Sequence, residues 1–182
     1  MTSLLKAYKP VLQFIATFLG VYFVLIISYK FYLDLSEGSH FFPDYFSNLV
    51  GRQTVSLLNS LGYTAAILPD GFHPVLNLSL QGRDIAFIAE GCNGISIIIL
   101  FVSFIVAFAD KLKTTFLYIL VGSVLIYVAN LIRIVIIAIA IYKYPAHQET
   151  LHGVVFPGLI YSMVFVLWMF WVRRFNKSKI DV

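Results

Sequence analysis

Four apolar runs, each long enough to cross a lipid bilayer, set the limits on what this chain can fold into. They cover residues 10–33, 93–109, 114–133 and 154–172. About 20 residues of helix, rising 1.5 Å each, match a hydrocarbon core of roughly 30 Å. Lipid offers the backbone no hydrogen-bond partners, so such runs must bond internally as helices. The predicted fold class is an all-α polytopic membrane protein, about four transmembrane helices in a single membrane-embedded domain over residues 1–182. Composition agrees, with 60% hydrophobic and 12% charged residues and a mean hydropathy of +0.88. A soluble domain is about half apolar and about a quarter charged. The single cysteine, Cys92, excludes an internal disulfide framework, a CxxC redox pair and a multi-cysteine zinc site.

The net charge of +4 marks topology rather than nucleic-acid binding, because the basic residues sit at the ends of the apolar runs. Lys6, Lys9, Lys111, Lys113, Arg173, Arg174, Lys177 and Lys179 all fall on one side of a four-span arrangement. The positive-inside rule assigns that side to the cytoplasm. The segments 34–91 and 134–153 then face outward, and they hold Asp34, Glu37, Asp44, Asp70, Asp84, Glu90 and Glu149, seven of the nine acidic residues. The first run has the basic start of a signal peptide, but its length and the lack of a small-x-small exit favour a retained anchor. Arg133 lies 20 residues beyond Lys113, about 30 Å along a helix, and so near the outer interface. Residues 134–144 either extend that helix or lie against the membrane surface.

The outer segment has structure of its own. Phe46, Leu49, Val50, Leu57, Leu58 and Leu61 recur with a helical period, which predicts an interfacial amphipathic helix ended by Gly62. Val75–Leu80 and Ile85–Ala89, joined through Gln81-Gly82-Arg83-Asp84, predict a small β-hairpin. The hairpin delivers the chain to Glu90-Gly91-Cys92-Asn93-Gly94 at the start of the second run.

Three residues with chemistry to offer converge on the outer interface under this topology. A thiol at Cys92, beside a helix N-terminus, meets the positive end of the macrodipole and free backbone N–H groups, which favour a nucleophilic thiolate and an oxyanion. Cysteine is also a common small buried hydrophobe. Arg133 places a permanent charge in a run of Ile, Leu, Val and Ala, with Asn130 on the same face to fix its guanidinium. Snorkelling to headgroups is the competing explanation. His152 stands at the mouth of the fourth run, where imidazole suits proton transfer or serves as a polar helix start. Asn93 is a supporting residue beside the thiol, and Glu90 is a secondary candidate for orienting a partner. The spacing of His147 and His152 does not align two ligands on one helix face, so no metal is expected. Thiolate, imidazole and fixed cation are the parts required for acyl transfer through a thioester.

These blocks resemble the exosortase/archaeosortase family. Glu90-Gly91-Cys92-Asn93-Gly94-Ile95 is similar to its Cys-Ser/Asn-Gly-Ile block, with Asn93 where serine is usual. Asn130-Leu131-Ile132-Arg133 is similar to its Asn-x-x-Arg block, and Leu151-His152-Gly153 to its histidine block, in family order. The short length resembles the F-type branch of exosortases. The resemblance implies a cysteine protease and transpeptidase in the cytoplasmic (inner) membrane, its active site toward the outer face. Its substrates would be exported proteins with a C-terminal motif, a transmembrane helix and a basic cluster. It implies that Cys92 attacks the peptide bond, His152 moves protons, Arg133 stabilises thiolate or oxyanion, and an external acceptor resolves the thioester. No cofactor and no nucleic-acid partner are implied. The alternative is a non-enzymatic membrane assembly or transport subunit, for which Cys92 would be dispensable. A thiol-redox role is disfavoured because no second cysteine is present to resolve a disulfide.

Overall fold

The computed structural model describes residues 2–36, 41–109, 111–145, 153 and 156–180. In chain order these form α1 (Thr2–Ser36), α2 (Tyr45–Ser60), β1 (Ala65–Pro69), β2 (Val75–Leu80), β3 (Arg83–Ala89), a 3-10 turn (Glu90–Cys92), α3 (Ile95–Ala107), α4 (Leu112–Lys143) and α5 (Phe156–Ile180). Among the described residues, two helical stretches are long and apolar enough to cross a membrane, Tyr8–Ser36 within α1 and Leu112–Lys143, which is α4. The apolar helices Ile95–Ala107 and Pro157–Arg173 are shorter. At 13 residues α3 is about 20 Å long, well under a bilayer core. The molecule is mostly helical, and α4 runs through Arg133 without a break, so residues 134–143 continue that helix.

The helical bundle forms where α1 lies along α3 and where α3, α4 and α5 meet. Its core is Phe101, Ile105, Ile126, Val164 and Trp171. Two polar tips are satisfied within it: Tyr118 Oη donates to the Leu167 carbonyl at 2.7 Å, and Trp171 Nε1 to the Phe108 carbonyl at 3.2 Å. Outside this core the helices are coated with exposed apolar side chains such as Val24, Ile27 and Phe31 on α1 and Phe116, Leu120 and Val124 on α4. Such a coat suits lipid rather than water.

The sheet and α2 form a second packed layer. The predicted hairpin is present as β2 and β3, and a third antiparallel strand, β1, extends it to a sheet of order β1-β2-β3. The missed strand, Ala-Ala-Ile-Leu-Pro, lacks the polar–apolar alternation that reveals a half-buried strand. Strand β3 begins at Arg83, two residues earlier than predicted, because Gln81 and Gly82 alone make the turn, with φ of 53° and 75°. Two consecutive residues at positive φ are the signature of a tight hairpin connection. The register slips between Leu78 and Ser79, where Ile85 is the extra residue of a bulge.

Leu76, Leu78 and Leu80 are buried on one face of β2, each worth about 1.5–3 kcal/mol of burial. They meet Val50 and Leu58 of α2 and Ile134, Val135 and Ala138 of α4. Helix α2 therefore gives its buried face to protein, where the sequence pattern had predicted the membrane surface. That face is Ser47, Val50, Gly51, Thr54 and Leu58, while Leu57 and Leu61 are exposed. Small residues define it: a Cβ on Gly51 would stand 3.1 Å from both Ile67 Cδ1 and Leu76 Cδ1. A pattern read from large apolar residues misses such a face.

Candidate active site

The segment between β3 and α3 turns sharply. After the 3-10 turn that ends at Cys92, Asn93 is right-handed helical and Gly94 takes φ +81°. Glycine is required there twice over, by the left-handed backbone and by Asn130, whose side chain would lie 3.2 Å from an added Cβ. Asn93 is 1% exposed and is bonded through each of its polar atoms. Its Oδ1 accepts the Ile95 N–H at 3.0 Å, capping the first turn of α3. Its Nδ2 donates to Tyr29 Oη at 2.6 Å and to Ser47 Oγ at 3.2 Å.

Helix α4 closes the site from the other side. Asn130 Nδ2 donates to the Cys92 carbonyl at 2.8 Å, and Asn130 Oδ1 accepts from an Arg133 guanidinium N–H at 3.4 Å. The three-residue spacing puts both side chains on one helix face. Cys92 is half-buried and packs against Val50, Leu76, Ile88 and Ile134. Cys92 and Arg133 line one cavity of about 30 Å3, whose remaining wall is Leu78, Ala86, Phe87, Ile88, Ile134 and Ile137. The Arg133 Nε is buried without a hydrogen-bond partner. An orphaned buried donor costs about 1–3 kcal/mol, more when charged, and an acceptor entering the cavity would recover that.

Cys92, Asn93, Asn130 and Arg133, all singled out in the sequence, thus meet at one place. Glu90 contributes its backbone carbonyl, 3.4 Å from Tyr29 Oη. His152 lies outside the described residues, as do His147 and Glu149. The sequence reading overlooked Tyr29 and Ser47. Tyr29 reads as one more aromatic at a membrane interface, and Ser47 as one more residue after a helix cap. Their neighbours explain their placement. Asp44 caps α2 by accepting from Phe46 and Ser47 N–H at 2.9 and 3.2 Å, and Tyr32, one turn beyond Tyr29, bonds Asp44 Oδ1 at 3.3 Å. The C-terminal end of α1 is in this way docked on the start of α2.

A family model described as transmembrane exosortase matches residues 2–172 of the chain. No curated protein matches it, and no solved structure does.

Proposed function

The chain belongs to the transmembrane exosortase family, and from that premise we propose that it is a membrane-embedded cysteine transpeptidase that cleaves the C-terminal sorting signal of exported proteins. The observation that carries the proposal is the shared cavity of Cys92 and Arg133. The Cys92 thiolate attacks the scissile carbonyl carbon, and the carbonyl electron pair moves onto oxygen. Arg133, whose buried Nε awaits an acceptor, offsets that charge. Collapse of the tetrahedral species breaks the C–N bond, and His152 supplies the proton that the leaving amine takes. The role of His152 follows from the family's histidine block. An acceptor nucleophile, deprotonated by the same imidazole, then attacks the thioester and frees the thiolate.

The basic residues at one set of helix ends support placing this chemistry on the outer face of the cytoplasmic membrane. There a substrate held by its own C-terminal transmembrane helix would present its motif beside Cys92. The test is C-terminal proteomics of the membrane and exported fractions, comparing wild type with Cys92→Ala. A defined set of exported proteins should lose its genomically encoded C-terminal peptides in wild type and retain them in the variant. If that set is processed identically in both, the chain is not a cysteine transpeptidase, and an assembly subunit takes its place.

A further inference from the structure

Nothing in the chemistry assigned to Cys92 calls on α1, the apolar helix that begins the chain. Yet the C-terminal end of α1 reaches the Cys92 turn. Tyr29 Oη accepts the Asn93 amide at 2.6 Å and lies 3.4 Å from the Glu90 carbonyl, to which it donates. Those two residues bracket Cys92 on either side. The second Asn93 amide proton goes to Ser47 of α2, and the Cys92 carbonyl itself is held by Asn130 of α4. Side chains from three helices thus fix three positions of a four-residue stretch. With its Nδ2 protons and Oδ1 engaged, the Asn93 side chain has no alternative amide orientation that keeps all its bonds.

Reaction rates depend steeply on where a nucleophile is held, and a displacement of about 1 Å can cost 10²-fold. We infer that Tyr29 is a positioning residue for Cys92, its phenol clasping the nucleophile's turn at the Asn93 amide and the Glu90 carbonyl. This inference rests on Cys92 being the nucleophile. It makes α1 a working part of the site as well as an anchor.

Tyr32 provides the internal control. It sits one turn further along the same helix and bonds Asp44 Oδ1 and the Tyr45 N–H, so its hydroxyl secures α1 without touching the turn. Full-length Tyr29→Phe and Tyr32→Phe are compared in phosphatidylethanolamine–phosphatidylglycerol nanodiscs for N-ethylmaleimide labelling of the single cysteine and for unfolding midpoint. In cells they are compared for the processed fraction of the proteins that the Cys92→Ala comparison identifies. Tyr29→Phe should be labelled at least threefold faster, because the half-buried thiol is released, and should process about tenfold more slowly, with a midpoint lowered no further than that of Tyr32→Phe, which also loses its hydroxyl bonds. Tyr32→Phe should match wild type in labelling and processing. Asn93→Ala removes the same bond from the other side, together with those to Ser47 and the Ile95 N–H, and should be labelled at least as fast and process at least as slowly as Tyr29→Phe. The double variant should be no slower than the slower single one. If Tyr29→Phe labels and processes as wild type while Cys92→Ala is inactive, the inference is overturned and the nucleophile stands. If Cys92→Ala processes normally, there is no nucleophile to position and both fall.

Discussion

The two halves of α4 are one unbroken helix packed by two different sets of rules. From Leu112 to Ala129 its buried positions are Thr115, Gly122 and Ile126, and Phe116, Leu117, Leu120, Val121, Val124 and Leu125 are exposed. From Asn130 onward Asn130, Ile134, Val135, Ile137, Ala138 and Ile141 are buried, against a sheet and an amphipathic helix. The first half behaves as a membrane helix, with one narrow protein contact and an apolar remainder. The second half behaves as the central helix of a soluble core. Asn130 and Arg133 begin that second half, beside the Cys92 turn. The site thus lies at the junction of the two packing regimes, where a charged guanidinium is within reach of both an apolar wall and a polar clasp.

The sharpest way to break this comparison is at Gly122. In lipid, helices associate through close approach at small residues, since apolar contact alone gives no preference for protein over lipid. A Cβ at Gly122 would overlap the ring of Phe101, and Phe101 is fully buried in the bundle core. Gly122→Leu should therefore separate α3 from α4 and destabilise the bundle by at least about 1–3 kcal/mol. The midpoint of SDS unfolding in mixed micelles reads this loss. Phe101→Leu should restore part of the stability of a milder Gly122→Ala variant. A wild-type midpoint for Gly122→Leu would show that the membrane half does not depend on close packing.

Asn130 tests the junction itself. Asn130→Ala leaves the Cys92 carbonyl without its donor and Arg133 without its acceptor, at roughly 1–3 kcal/mol for an unsatisfied buried group. If that cost falls on the transition state, processing drops about tenfold to a hundredfold. Asn130→Asp separates the two contacts. It keeps an acceptor for Arg133 but turns an oxygen toward the Cys92 carbonyl in place of the donor. Processing as slow as in Asn130→Ala would assign the effect to the Cys92 turn, and recovery would assign it to the guanidinium.

The same junction explains what the sequence disclosed and what it hid. Asn130 and Arg133 stand out because each is chemically anomalous in an apolar run, and Cys92 because it is the single cysteine, set between glycine and Asn93 at a helix start; features of that kind need no structure to be noticed. The pair of short apolar-rich stretches on either side of Gln81-Gly82 is likewise local and gave away β2 and β3. Strand β1 and the buried face of α2 were hidden because their evidence is relational. Ala65–Pro69 is a strand only because β2 pairs with it, and Ser47, Gly51 and Thr54 are buried only because the sheet needs small neighbours there. Tyr29 is the extreme case. Its bond to Asn93 crosses 64 residues, and on its own helix it looks like any interfacial tyrosine. Nor did the length of the apolar run disclose that α4 continues past Arg133, since the continuation depends on the sheet that Ile134, Ile137 and Ile141 cover.

The smallest expected effect lies in the sheet layer alone, at its exposed β1–β2 turn. At the turn between β1 and β2, Asp70 Oδ1 accepts the Phe72 and His73 N–H groups, both at 2.9 Å, and Oδ2 accepts from Asn77 Nδ2 at 3.2 Å. These bonds, led by the Phe72 N–H, hold the carboxyl at about 2, below its ordinary 3.8. Because the folded value is the lower one, the ionised carboxylate supports the turn fully above about pH 4. That support is lost as the pH falls through the range between the two values. Hydrogen exchange at the Phe72 and His73 amides, expressed as protection factors so that intrinsic exchange cancels, should fall between pH 5 and pH 2.5 in wild type. In Asp70→Asn the same protection factors should be slightly lower at pH 5 and flat across the range, since the amide cannot titrate. The bundle amides of α3 and the first half of α4 should show no corresponding change in either protein, because the residues bonded to that carboxylate, Phe72, His73 and Asn77, lie in the β1–β2 turn and on β2. Loss of protection spreading into α4 before Asn130 would mean that the two halves unfold as one unit, and the distinction between their packing would have no energetic content.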